Sequence, residues 1–154
     1  MLDQNTSAQL KTLLERLEGP IELVATLNDS DKSAKIKELV EEVAALSDLV
    51  TARFDGKNSR APSFGIAKAG EEPRVFFAGL PMGHEFTSLI LALLQTSGYA
   101  PKVSDEVLTS IKELGVNSHF DVFVSLSCHN CPDVVQALNL IAIYNPGATA
   151  TMID

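Results

Sequence analysis

Phe120-Asp121-Val122-Phe123-Val124-Ser125-Leu126 runs directly into Ser127-Cys128-His129-Asn130-Cys131-Pro132, and then into Asp133-Val134-Val135-Gln136-Ala137-Leu138-Asn139. The first stretch is β-rich and predicts a strand over 120–126. The last predicts a helix over 132–144, ended by Asn145-Pro146-Gly147. Between them stand the only two cysteines of the chain, three positions apart. A strand-to-helix junction gives that spacing a physical use. Cys128 falls at the helix N-terminus, where unpaired N–H groups and the helix dipole favour an anion. That favours the thiolate, which is the nucleophile. Cys131 lies one turn further on the same side. It is placed to attack a mixed disulfide at Cys128 and release the reduced partner. Pro132 is tolerated because first-turn N–H groups have no intrahelical acceptor. His129 between the thiols would favour the thiolate as a cation and do little as a neutral, solvated ring; both readings stand.

Zinc is the rival reading of two thiolates near a histidine, with His84, His119 or His129 as further ligands. A structural zinc site normally shows a second paired motif, and the chain has none. Redox chemistry is therefore preferred.

Upstream, Leu10, Leu13, Leu14 and Leu17 fall at helical spacing until Gly19-Pro20. Ile21 to Leu27 reads as a strand. Asn28-Asp29-Ser30 can cap a helix lined by Ile36, Leu39, Val40, Val43 and Leu46. Leu49 to Phe54 closes a βαβ unit. Ser63 to Ala67 and Arg74 to Ala78 read as strands. A helix is expected from Pro81 or Met82 to Leu94, with Leu89 to Leu94 in the core. Gly98-Tyr99-Ala100-Pro101 reads as a linker, and Ser104 to Leu114 as a helix.

Sliding the chain by 99 positions lays Leu27 on Leu126, Leu39 on Leu138 and Ala52-Arg53-Phe54-Asp55 on Thr151-Met152-Ile153-Asp154, with no gap. Helix, strand, capped helix and strand occur twice at one offset. The fold class expected is α/β, with two fused thioredoxin-like units, the second incomplete. The first covers 1–98 and lacks cysteines; the second covers 99–154 and carries the C-x-x-C. Cys128 lies over Asp29 and Cys131 over Lys32, which read as cap and surface residues. The chain is expected to end inside its second unit as part of a longer protein, leaving that unit's sheet with an unpaired edge. Ala61-Pro62 precedes a strand where thioredoxin folds carry a cis-proline, so a cis bond is expected there.

A net charge of -8 and a pI near 4.8 argue against nucleic acid and anionic membranes as partners. No secretory signal opens the chain and no apolar run could span a bilayer, so a cytoplasmic location is expected. Structural disulfides are rare there, which again favours catalysis for the pair.

The run Leu126 to Asn139 closely resembles the N-terminal domain of the flavoprotein subunit of bacterial alkyl hydroperoxide reductase. Gly83-His84-Glu85-Phe86-Thr87-Ser88-Leu89 resembles that family's first-half motif, and the opening through Ile36-Lys37-Glu38-Leu39 matches in kind. The resemblance implies two fused thioredoxin-like units, of which only the second keeps its thiols. It implies that NADH reduces FAD in the full-length protein. Electrons then pass through a flavin-side C-x-x-C to Cys128 and Cys131, and on to a peroxiredoxin that reduces hydroperoxides. Cys128 would attack and Cys131 resolve. The full-length protein would be a homodimer. The resemblance also matches the family's acidic residue to Glu85, which the residues alone read as compensation of a helix dipole. A partly buried carboxyl there could exchange protons with the thiol. No G-x-G-x-x-G occurs, so FAD and NADH are not expected to bind this chain. The alternatives are a stand-alone thioredoxin- or glutaredoxin-like reductase and a zinc-binding docking module.

Overall fold

The computed structural model describes residues 1–154 as alternating helices and strands. Asp3 accepts from the Thr6 N–H and starts α1 (Gln4–Leu14), which buries Leu10 and Leu14. In β1 (Ile21–Thr26) the alternation buries Ile21, Leu23 and Ala25. Ser30 caps α2 (Asp31–Ala45) through the Ser33 N–H, and Ile36, Leu39, Val40 and Val43 line its buried face. β2 (Val50–Arg53), β3 (Ser63–Lys68) and β4 (Val75–Ala78) follow. The Ala61–Pro62 bond ahead of β3 is cis, as expected. A 3-10 turn at Gly83–Glu85 then leads into α3 (Phe86–Thr96). The rest comprises α4 (Asp105–Glu113), β5 (Ser118–Phe123), α5 (Cys131–Tyr144) and β6 (Ala148–Ile153).

The strands form one sheet in the order β2-β1-β3-β4-β6-β5, not a separate sheet for each half. β1 runs parallel to β2, β5 parallel to β6, and each pair brackets a helix. β4 joins the halves by pairing in parallel with β6, which leaves β5 outermost. Side chains on one face form rows across the sheet. Ala25, Phe64, Phe77, Met152 and Val122 are successive partners. The Phe64 and Phe77 rings stack at 5.4 Å. Residues of α1, α2, α3 and α5 pack on this face as one apolar cluster. The opposite face is more polar, with Arg53 paired to Glu22 at 2.7 Å and His119 bonded to Asp121 at 2.8 Å.

The 99-residue offset holds for the first strand and helix of each half and fails at the next strand. Ile21 pairs with Val50, whereas Phe120 pairs with Ala150 rather than Thr149. The second half has one more residue between its helix and final strand. A slip of one residue exchanges the faces of a strand. Thus Ala150 and Met152 lie in the core row, and the gap-free alignment is corrected there.

Arg74, just ahead of β4, donates from Nε to the Ala142 carbonyl at 2.8 Å and from Nη2 to the Ile143 carbonyl at 2.9 Å. These lie in the last turn of α5, where carbonyls lack intrahelical donors and a cation suits the dipole. Arg74→Ala is expected to cost about 1–3 kcal/mol in urea unfolding. Arg74→Lys, lacking the two-pronged guanidinium, should restore only part of it.

Candidate functional site

The strand expected over 120–126 ends at Phe123 because serines divert the backbone. Val124 N–H still reaches the Ile153 carbonyl, at 2.8 Å. Beyond it, the Ser125 and Ser127 hydroxyls bond each other at 3.0 Å, and the Cys128 N–H turns back to the Ser125 carbonyl at 2.9 Å. This turn sets Cys128 before the first residue of α5. Cys128 and Cys131 are joined as a disulfide, with Cα atoms 5.6 Å apart. Both are half-buried, and His129 and Asn130 between them are exposed.

Asn130 occupies the cap position of α5 without making a side-chain cap bond. Instead the Cys131 N–H donates to Cys128 Sγ at 3.2 Å. The sulfur thus takes the role an N-cap oxygen usually fills. Upon reduction, the same N–H and the helix dipole favour negative charge on Cys128.

The segment 83–85 docks against this turn. His84 N–H donates to the Leu126 carbonyl at 3.1 Å. Gly83 has φ +57, and a Cβ there would stand 2.9 Å from the Leu126 oxygen. Only glycine combines that conformation with so close an approach. The His84 and His129 rings lie 4.5 Å apart. His84 therefore touches the C-x-x-C loop although it is exposed.

Glu85 is fully buried. Its Oε1 accepts from Ser88 Oγ at 2.7 Å, and its Oε2 has no partner. Gln136 Nε2 on α5 in turn donates to Ser88 Oγ at 3.2 Å. Burial pushes the Glu85 carboxyl above its ordinary range, while the Ser88 bond and the nearby His84 charge pull it down. With its pKa raised on folding, the native state binds more protons than the unfolded chain between the ordinary and raised values. Stability therefore falls as pH rises through that window. Glu85→Gln is expected to gain stability relative to wild type over the same window and keep that gain above it. Urea midpoints measured at successive pH values would check this.

The structure thus brings Cys128, Cys131 and Glu85 to one region. Sequence reasoning missed Ser88 and Gln136, although the i, i+3 spacing of Glu85 and Ser88 marks one helix side. Asp29 and Lys32, at the matching place on α2, are exposed, and Ser30 supplies the cap. His119 is engaged on the sheet face with Thr149 and Asp121. No three His, Cys, Asp or Glu side chains converge as a metal-binding group. No helix is long and apolar enough to cross a membrane.

A cysteine pair at the start of the helix linking two parallel strands is the centre of a thioredoxin-like disulfide oxidoreductase fold. A protein disulfide oxidoreductase from Aeropyrum pernix K1 shares the fold with TM-score 0.80 over 99% of this chain and 76% of its own, at 19% identity. The N-terminal domain of alkylhydroperoxide reductase AhpF from Enterococcus faecalis matches at TM-score 0.89 and 28% identity, over 100% of this chain and 80% of that one. The AhpF protein of Pseudomonas putida is 51% identical over 154 residues, all of this chain and 30% of that protein. The chain belongs to the AhpF family of alkyl hydroperoxide reductases and corresponds to its N-terminal domain. It spans about 30% of the length of that curated relative. No family model matches it.

Proposed function

We propose that this chain is the thiol–disulfide relay domain of a longer flavoprotein, passing electrons from NADH through FAD to a peroxiredoxin subunit. Residues 1–98 form a thiol-free thioredoxin-like unit, and residues 99–154 carry the relay. The Cys131 N–H on Cys128 Sγ supports this reading most directly, because it singles out Cys128 as the sulfur whose anion is stabilised. In the reaction, the Cys128 thiolate attacks the peroxiredoxin disulfide and forms a mixed disulfide, expelling one partner thiolate. Cys131 gives up its proton and attacks Cys128 Sγ. The second partner thiolate leaves, and the Cys128–Cys131 disulfide remains. Two electrons have moved to the peroxiredoxin. Glu85 exchanges a proton with the Cys128 thiol during the cycle.

FAD and NADH belong to the flavin domain of the longer protein, which returns the pair to dithiol. We place that protein in the cytoplasm as a homodimer. Pre-reduced chain mixed with an oxidised peroxiredoxin should lose one dithiol for each peroxiredoxin disulfide opened, counted by mass spectrometry after alkylation. Reduction of small disulfides while the peroxiredoxin stays oxidised would instead favour a stand-alone thioredoxin- or glutaredoxin-like reductase.

A further inference from the structure

We propose that Gln136, acting through Ser88, is a positioning residue that sets the titration of Glu85. This rests on the reading that Glu85 exchanges a proton with Cys128. Gln136 Nε2 can only donate, so its bond to Ser88 Oγ uses an acceptor lone pair of that hydroxyl. A serine hydroxyl has one proton. With Gln136 occupying a lone pair, that proton is directed to Glu85 Oε1, 2.7 Å away. Oε1 is thereby committed as an acceptor. A proton taken up by the carboxyl then resides on Oε2, the buried oxygen without a partner.

The chain of hydrogen bonds spans two helices. Glu85 and Ser88 bracket the start of α3, and Gln136 sits on α5, five residues beyond Cys131. Glu85 and Ser88 are fully buried, and Gln136 is half-buried. Water therefore cannot readily take over the directing role of the amide. The titratable groups around this carboxyl are His84 beside it, His129 against His84, the two cysteines, and Asp133 in the first turn of α5. None of them donates to either Glu85 oxygen. Ser88 is the sole donor to the carboxylate, and Gln136 directs that donor.

A purely structural role would predict something different. Replacing a buried polar pair by apolar groups of similar shape can be close to neutral, and it would leave the carboxyl titration in place. The test follows the Glu85 side-chain carboxyl by 13C NMR against pH in the whole chain. It is paired with the pH profile of Cys128 alkylation in the reduced protein. Ser88→Ala removes the only donor to the carboxylate and should move the Glu85 midpoint up by about one pH unit. Gln136→Met keeps the shape without the donor and should move it in the same direction by about half as much. In a Glu85→Gln background, neither change should alter the alkylation profile further. If both variants fold and the Glu85 midpoint stays in place, the positioning proposal is overturned. If Glu85→Gln itself leaves the alkylation profile unchanged, the proton-exchange reading fails instead, and the NMR titration still decides what Ser88 and Gln136 do.

Discussion

Cys131→Ser is expected to convert the relay into a trap. With Cys128 intact, the variant should attack an oxidised peroxiredoxin and accumulate a mixed disulfide. That adduct should run as one band on a non-reducing gel and disappear on treatment with a reductant. Resolution in the wild type is intramolecular, because Cys131 Cα lies only 5.6 Å from Cys128 Cα. Well-oriented intramolecular reactions reach effective molarities of about 10^5 M and above. An external thiol at millimolar concentration cannot replace that, so turnover should fall at least on the order of 10^3-fold. Cys128→Ser should form no adduct. Cys131 is the first residue of α5, and its N–H points to the other sulfur. Adduct formation by Cys128→Ser together with near-normal turnover of Cys131→Ser would reverse the roles assigned to the two thiols.

Which features the amino-acid order revealed follows from how local their causes are. Alternating β1, the capped face of α2 and the C-x-x-C at a strand end are set by neighbours within a turn or two, and they were legible. The boundary of β5 was not, because the hydroxyls of Ser125 and Ser127 compete with the ladder only once the turn closes. The single sheet depends on β4 pairing with β6, strands about 70 positions apart with similar apolar patterns. Nothing local distinguishes that pairing from two separate sheets. The added residue before β6 was hidden for a related reason: face assignment depends on partners, not on the strand alone. Glu85 could be named only through the resemblance, since a carboxylate in a first helical turn is ordinarily solvated. Its burial arises because 83–85 docks on Leu126 and α3 packs on α5. Ser88 and Gln136 meet through the same packing, and so does the stacking of His84 on His129.

Phe77→Ala should produce the largest loss of stability among single core changes, and should do so in both halves of the chain together. Phe77 is fully buried on β4, stacked on Phe64 of β3 and paired in register with Met152 of β6. It lies in the row of side chains that passes from one half to the other. Truncating a buried phenylalanine costs about 3–5 kcal/mol, the lost transfer energy plus that of the cavity left behind. A domain has only about 5–15 kcal/mol in total. For a urea dependence of about 1–3 kcal/mol per molar, the midpoint should drop by roughly 2 M. Phe123→Ala is the matched control. That ring is 71% exposed on the outermost strand, with only the Arg60 guanidinium near it at 5.9 Å. Its removal should change stability by no more than about 0.5 kcal/mol. Unfolding should be followed by circular dichroism and by the fluorescence of Tyr99 and Tyr144, since the chain has no tryptophan. Tyr144 ends α5, so its signal reports on the half that carries the disulfide. One continuous core requires the two probes to coincide in wild type and to shift together in Phe77→Ala. A Tyr144 transition that stayed in place while the dichroism moved would show that the halves unfold separately, with the row through Phe77 coupling nothing.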